Sequence, residues 1–387
     1  MLLIIIYLCL IGALFTCLMT IINLLTVKKL SRYPGSKEYP FVSVIVPARN
    51  EERNIHTCVS SLLQQDYSRF EIIVVNDHSE DRAGEILAEL KQEHPELIVL
   101  NSPALPAGWL GKNWACHQGY GHARGELLLF IDADTQHAPQ SLRKAVAGLL
   151  QENADFLTAI LFLNSISLAE KLIQPLLTCM IYAVFPFALM QRKRLRTLAY
   201  AHGAYMLFRR EAYDRIGGHA AIRGNVFDDL TLAGNIRLAD LHTLIVNGAG
   251  SISCRMYTSM REIFDGFSKN LFRVASYKYP TAIATPIFTL GWLLYAAIYS
   301  MPAFVLLACL VLFLCGMPAP ADLAIYGGIA VLLTSISFVL VYKSFGYSLR
   351  MICTYPVQII LLFIIAMNSM ISTLRGTTSW KGRPLPG

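Results

Sequence analysis

The sequence predicts an α/β protein: a mostly parallel sheet flanked by helices, carried between transmembrane helices at both ends of the chain. Two observations predict it. Short apolar runs suited to buried strands alternate with segments whose apolar residues recur at helical spacing, and the strand-like runs stop at Pro, Asn or Asp. In addition, 55% of the 387 residues are hydrophobic, and many gather in long uncharged blocks, a composition outside that of ordinary soluble domains.

In chain order, residues 1–27 hold no charge and precede Lys28, Lys29 and Arg32, the pattern of a spanning helix whose carboxyl end faces the cytoplasm. The run lacks a basic n-region and is too long for an h-region, so it does not read as a cleaved signal. Residues 28–280 read as one cytoplasmic domain. Its first strand, Phe41 to Val46, is stopped by Pro47, and a helix follows behind Asn50. FEIIVVNDHSED is a second buried strand closing on Asn76 and Asp77. A helix from Arg82 to Gln92, the strand LIVLNS, a helix over 112–123 and the strand LLLFIDADT continue the alternation. Such a unit binds its ligands beyond the carboxyl ends of its strands.

Two acids, Asp132 and Asp134, close the fourth strand. Carboxylates at i and i+2 are costly to bury unpaired, and a divalent cation on hard oxygen ligands would compensate them. The phosphate-binding glycine loops are missing: PARNEE stands where a dinucleotide fold needs G-x-G-x-x-G, and no Walker loop occurs. Any nucleotide phosphates must be neutralised another way, and a metal on the aspartate pair is the candidate.

Segment 172–191 is uncharged and long enough to span. A single crossing there would separate Asp132 and Asp134 from the acids downstream. It therefore reads as an interfacial or re-entrant helix, broken at Pro175 and Pro186 and followed by basic QRKRLR at anionic headgroups. Residues 281–374 form a carboxyl-terminal membrane region of three spans, or four if the block 281–321 makes a hairpin near Pro302. A basic tail, 375–387, carries Arg375, Lys381 and Arg383. These features describe a multi-pass cell-membrane protein with a cytoplasmic domain.

Net charge +7 fits juxtamembrane Lys and Arg beside anionic lipid, and no basic stretch is interleaved with aromatic residues, so no nucleic-acid partner is expected. The nine cysteines show no C-x-x-C pair and read as reduced fillers without structural zinc. A transporter would need charged relay residues within its apolar blocks, and these have none.

Five motifs in order, PARNEE, VVNDHSED, GWLGKNWA, FIDADT and FDDLTLA, resemble the inverting family-2 glycosyltransferases with a GT-A nucleotide-diphospho-sugar fold, over roughly residues 41–275. Further motifs, HGAYMLFRREAYDRIGG, RMYTSMREIFDGFSKN and SWKGR, look most like the members that glycosylate apolar polyisoprenoid lipids, the carotenoid-acid and hopanoid-associated enzymes. The resemblance implies a nucleotide-sugar donor, with UDP-glucose the best match, a membrane lipid acceptor, possession of Mg2+ or Mn2+, and inversion at the anomeric carbon.

It also implies roles. Asp77 would contact the nucleobase, and Pro47, Asn50 and Glu51 would shape the nucleoside pocket; without the resemblance, Asp77 reads as a helix cap and Glu51 as a first-turn acid. Lys112 would face the diphosphate. Asp134 would be the direct metal ligand, with Asp132 acting partly through ribose or water. Asp228 and Asp229 stand where the family has Glu-Asp, so Asp229 is the implied general base, while Asp228 also suits a cap for the helix starting there. The Q-x-x-R-W motif of the processive synthases is missing from MREIFDGFSKNLFR, which implies a single transfer rather than polymerisation. Other acceptors in view are a hopanoid, sterol or diacylglycerol hydroxyl, and a non-catalytic nucleotide-sugar-binding protein is the remaining alternative.

Overall fold

The computed structural model describes residues 2–35, 40–192, 198–276, 279–377, 379–380 and 383–384. The basic run beyond Arg192 and Lys381 in the tail lie outside the described residues. The chain opens on helix α1 (Leu2–Thr26). There follow β1 (Val42–Ala48), α2 (Ile55–Leu63), β2 (Phe70–Asn76), α3 (Ala83–Glu93), β3 (Ile98–Asn101), α4 (Gly111–His122) and β4 (Leu127–Ile131), the alternation that the apolar spacing predicts. Next come β5 (Thr135–His137), α5 (Ser141–Gln151), β6 (Phe156–Ile160), β7 (Phe162–Leu163), α6 (Leu168–Val184) and α7 (Phe187–Met190). The remainder holds β8 (Tyr205–Arg209), α8 (Arg210–Arg215), α9 (Gly218–Ala221), α10 (Asp228–Leu238), β9 (Thr243–Asn247), β10 (Ile252–Cys254), α11 (Met260–Ser276), α12 (Thr281–Leu314), α13 (Ala321–Phe345) and α14 (Tyr355–Leu374).

Two compact units result. One comprises Thr26–Asn164 and Phe187–Met256; the other comprises Met1–Leu25, Ser165–Pro186 and Tyr257–Gly387. Helices α6 and α11 belong to the second unit, where both pack against α14.

The sheet unit is built on seven strands in the order β3-β2-β1-β4-β8-β6-β9. Only β8 runs antiparallel to its neighbours, so the sheet is mostly parallel. Strands β1, β2 and β4 are near-continuous apolar runs because both faces are covered: Val42, Val44 and Val46 enter one core cluster while Ile45 enters the other. The chain steps from β1 outward to β2 and β3, then returns to lay β4 on the opposite side of β1. That reversal opens a crevice at the carboxyl ends of β1 and β4, the place where such sheets bind ligands. Pro47 sits inside β1 without disturbing it. Val42 donates toward the β2 side, at the Arg69 carbonyl, so strand alternation turns position 47 toward β4, whose pairing already ends at Ile45.

At the opposite ends of these strands a polar knot, buried at Ser43 and Glu71 and capped by the exposed Arg124, joins β1, β2 and the residues before β4. The Ser43 hydroxyl donates to Glu71 at 2.6 Å and accepts from the Gly125 N–H at 2.7 Å, while the Arg124 guanidinium donates twice to Glu71, at 2.9 and 2.7 Å. Gly125 is required for this approach, since a Cβ there would lie 2.4 Å from the Ser43 backbone nitrogen.

In the second unit, among the described residues, four helices are long and apolar enough to cross a membrane: α1, α12, α13 and the Leu349–Leu374 segment containing α14. The block 281–321 makes no hairpin at Pro302; α12 runs through both Pro286 and Pro302 as one helix, leaving three long helices in the carboxyl-terminal region. Prolines are tolerated in such helices where neighbouring helices support the freed backbone, and α12 packs on α13 and α14. Gly12 of α1 has Ile298 against it, a close approach that a small residue permits.

Helix α6 continues through Pro175 and stops only before Pro186, so the expected break at Pro175 does not occur. One backbone bond is lost there, but the buried Ile173, Leu176 and Leu177 hold the helix in its packing against α13 and α14. Its start carries a capping box, Ser167 with Glu170. Its last carbonyls, those of Tyr182 and Phe185, accept from the buried Asn23 amide of α1 at 2.8 and 2.7 Å. Strands β6 and β8, which precede and follow α6, are paired in one sheet, and this excludes a single membrane crossing between them.

Gly125→Ala should destabilise the protein by about 1–3 kcal/mol or more through a backbone clash. Gly121→Ala, at a helical position with open space around it, should be neutral or stabilising by up to about 1 kcal/mol. Denaturation of both variants in detergent checks the contrast; equal stabilities would show that β4 can start elsewhere.

Candidate active site

The acids and the lysine singled out in the sequence meet at the crevice. Lys112, the second residue of α4, places its Nζ 2.8 Å from Asp132 Oδ1 and 3.1 Å from Asp228 Oδ2. A lysine in the first turn opposes the helix dipole, and desolvation also disfavours its charge; the two carboxylates outweigh both and hold its pKa well above the usual lysine value. Asp228 is the first residue of α10, while Phe227 holds the cap position, so the expected capping role is replaced by the ion pair. Asp229 Oδ2 accepts from the Gly203 N–H at 3.1 Å and Oδ1 from the Leu230 N–H at 2.7 Å. A Cβ on Gly203 would lie 3.3 Å from Asp229 Oδ2 and 3.4 Å from Lys112 Nζ, so glycine leaves room for both.

These surroundings raise the Asp229 pKa to about 7. Desolvation is the main cause and the adjacent Asp228 the second, against the opposing influence of Lys112 and the two backbone donors. His202, beside Gly203, is lowered to about 4 by burial and is neutral near pH 7.

The turn after β4 is held from behind. The Thr135 hydroxyl donates to the Asp132 carbonyl at 2.7 Å, which leaves it to accept from His137 Nε2 at 2.9 Å. Burial lowers His137 to about 3, so the ring is a neutral donor. The buried Cys58 thiol, pushed up to about 12 first by desolvation, also feels Asp134, Glu51 and Asp132, and Cys254 feels the same three carboxylates. Glu51 thus belongs to the neighbourhood of the aspartate pair, and it also accepts from the Asn54 amide at 2.9 Å.

Pro47, Asn50 and Asp77 lie where β1 and β2 end, and two loops are laced together around them. Arg49 donates to the carbonyls of Asp77 and His78 at 2.8 and 3.0 Å and to the Glu80 carboxylate at 3.2 Å. Asn50, with φ +52°, donates its N–H to Ser79 Oγ at 3.1 Å and accepts from the Glu80 N–H at 2.8 Å. Asp77 is buried and caps no helix, since Arg82 holds that position for α3. Sequence reasoning missed Arg49, Gly203 and His202. The glycine had a signal, an HGA triplet just before a strand, whereas nothing in a lone arginine marks it as a loop clamp.

Among the described residues no group of three or more His, Cys, Asp or Glu is arranged to hold a metal alone. Two carboxylates with the balance of ligands from phosphate oxygens is the way Mg2+ is ordinarily held at such sites, and the donor chemistry of Asp132 and Asp134 fits it.

The comparison with known families matches residues 43–217 to Glycosyl transferase family 2. Those residues form a family-2 glycosyltransferase domain. The matched stretch is less than half of the chain, and the acid pair Asp228–Asp229 lies just past it. A 4,4'-diaponeurosporenoate glycosyltransferase of Staphylococcus aureus (strain MRSA252) is 24% identical over 88% of this chain and 87% of its own length. The namesake from Staphylococcus haemolyticus is 25% identical over 59% of this chain and 60% of its own length, and a probable glycosyltransferase, YdaM, of Bacillus subtilis is 34% identical over 30% and 28%. The chain spans less than two thirds of the length of these two relatives. Among solved structures, a mannosyltransferase of Pyrobaculum calidifontis in complex with GDP-Man and Mn2+ superposes with TM-score 0.52 at 16% identity, covering 96% of this chain and 99% of that one. The fold is that of the GT-A glycosyltransferases.

Lys112→Met, Asp228→Asn and the double variant form a thermodynamic cycle for the central ion pair. Chemical unfolding should give a coupling energy of about 1 kcal/mol or more, and additive losses would show that the pair does not hold α4 to α10.

Proposed function

We propose that this glycosyltransferase moves one sugar from a nucleotide-sugar, with UDP-glucose the first choice, to an apolar membrane lipid, inverting the anomeric carbon. The observation that carries the reading is the Lys112 bridge, which joins the acid at the end of β4 to the acid pair of α10 within one cluster. In this reading the nucleoside lies against Pro47, Asn50, Glu51 and Asp77, and Lys112 faces the diphosphate. Asp132 and Asp134 would hold Mg2+ or Mn2+, which when bound neutralises charge growing on the leaving nucleoside diphosphate. The acceptor oxygen attacks the anomeric carbon as the bond to the diphosphate breaks, and Asp229 takes the acceptor proton.

The named staphylococcal relatives support a carotenoid carboxylate as acceptor. A specific observation favours a second acceptor class. A carboxylate needs no base, whereas Asp229, raised to about 7, suits removal of a hydroxyl proton near neutrality. A hopanoid, sterol or glycerolipid hydroxyl is therefore the second reading. The sheet unit is assigned to the cytoplasm by Lys28, Lys29 and Arg32 after α1, and α6 to the membrane interface, at the same level as a lipid acceptor's polar end.

Turnover on hydroxyl and carboxylic lipids tests the whole scheme. Asp134→Ala and excess chelator should each abolish transfer to both. Asp229→Asn should cost about 100-fold to 10,000-fold on a hydroxyl lipid and far less on a carboxylic one. With the hydroxyl lipid, wild-type turnover should fall as pH drops below about 7, because Asp229 takes up a proton, and the variant should lack that limb. Full activity in chelator would remove the metal from the scheme, and an unchanged Asp229→Asn rate on every hydroxyl acceptor would remove the base.

A further inference from the structure

The residue after Lys112 makes contacts that the scheme above does not use. Asn113 is buried, with 2% of its surface exposed. Its Nδ2 lies 3.0 Å from the Ile222 carbonyl, 3.2 Å from that of Arg223 and 2.9 Å from that of Asn225. Three acceptors converge on two amide hydrogens, so one hydrogen is shared. The backbone N–H of Leu110 adds a bond to the Arg223 carbonyl at 2.8 Å. The Asn225 side chain in turn accepts from the Phe227 N–H at 3.2 Å, and α10 begins with Asp228 at the next residue.

The loop 222–227 is thus the run-in to the acid pair. It is irregular: Ile222 is buried in the core, the Asn225 N–H donates to the Ile222 carbonyl at 2.8 Å, and Arg223 and Gly224 are exposed. Adjacent residues of α4 grip adjacent parts of the same element: Asn113 takes the loop and Lys112 takes Asp228. A buried amide spent on three carbonyls of one loop is a constraint on position, since an apolar side chain would fill the same space without aiming the loop.

We propose that Asn113 is a positioning residue that sets the α10 acid pair against the donor side of the crevice. The proposal rests on the reading of Asp229 as base. In it, the short step from Asn225 to Asp228 transmits the grip, so that releasing the loop moves Asp229 away from the acceptor while leaving the nucleoside side, formed by the ends of β1 and β2, in place. Misplacement of about 1 Å is enough to cost a large part of a rate.

Two arms, both on the full chain in detergent, test it. Asn113→Asp keeps the shape but turns a carboxylate toward three carbonyls, and Asn113→Ala removes the donor without that repulsion. Amide hydrogen exchange should rise about 10-fold or more over 222–230 in Asn113→Asp, less in Asn113→Ala, with 127–137 unchanged. Turnover is then measured with whichever of a panel of UDP- and GDP-hexoses the wild type consumes in the presence of lipid extract. It should fall about 10-fold to 100-fold in Asn113→Asp while donor KM stays within about 2-fold. Unaltered exchange over 222–230 would overturn the proposal, and so would a loss appearing in KM rather than kcat. A wild type that consumes no donor would refute the glycosyl-transfer reading instead, and the exchange arm would still decide the role of Asn113.

Discussion

The Lys112 ammonium is the interaction around which the crevice is arranged. Two carboxylates from separate elements, Asp132 after β4 and Asp228 at the start of α10, would repel if left alone, and a lysine in the first turn of α4 would be disfavoured alone. Together the three charges compensate. The consequence is architectural: α10 is separated from β4 in the chain by the helices α5 to α9 and four strands, its Leu232, Ala233 and Ile236 pack in the core, and the charge ties its first turn to the crevice. The same lysine tempers the rise in the Asp229 pKa, so the electrostatics of Asp229 and of Asp132 share one group.

The sheet supplies the place and the polar chemistry supplies the aim. The reversal between β1 and β4 brings four strand ends and their loops into range of one another, which any doubly wound sheet would do. What distinguishes this crevice is the lacing behind it: Thr135 and His137 fix the turn bearing Asp132 and Asp134, while Arg49 and Asn50 fuse the loops after β1 and β2. Thr135, His137 and Arg49 are buried polar groups whose hydrogen bonds are costly to lose.

The sequence made the strands legible because both faces of β1, β2 and β4 are buried, leaving unbroken apolar runs closed by Pro47, Asp77 and Asp132. The mixed part was less legible. Strand β8 pairs antiparallel between β4 and β6 across a long excursion, and no local pattern encodes such a partner. Pro175 and Pro302 misled because a proline's local penalty is real but packing along the rest of the helix outweighs it. Asp228 looked like a cap because local rules see the helix start and not the lysine brought to it from α4. Asn113 and Arg49 were invisible for the same reason, as their partners are carbonyls of loops distant in sequence.

The proposed reaction is an in-line, single displacement at the crevice that Lys112 bridges. Anomeric analysis of the lipid product tests it most directly. Membranes containing the full chain are incubated with an α-linked nucleotide-sugar that the enzyme consumes, and the lipid-soluble product is examined by NMR. The account predicts one sugar per lipid, β-linked; an α-linked product, or a polymer on the lipid, would contradict it.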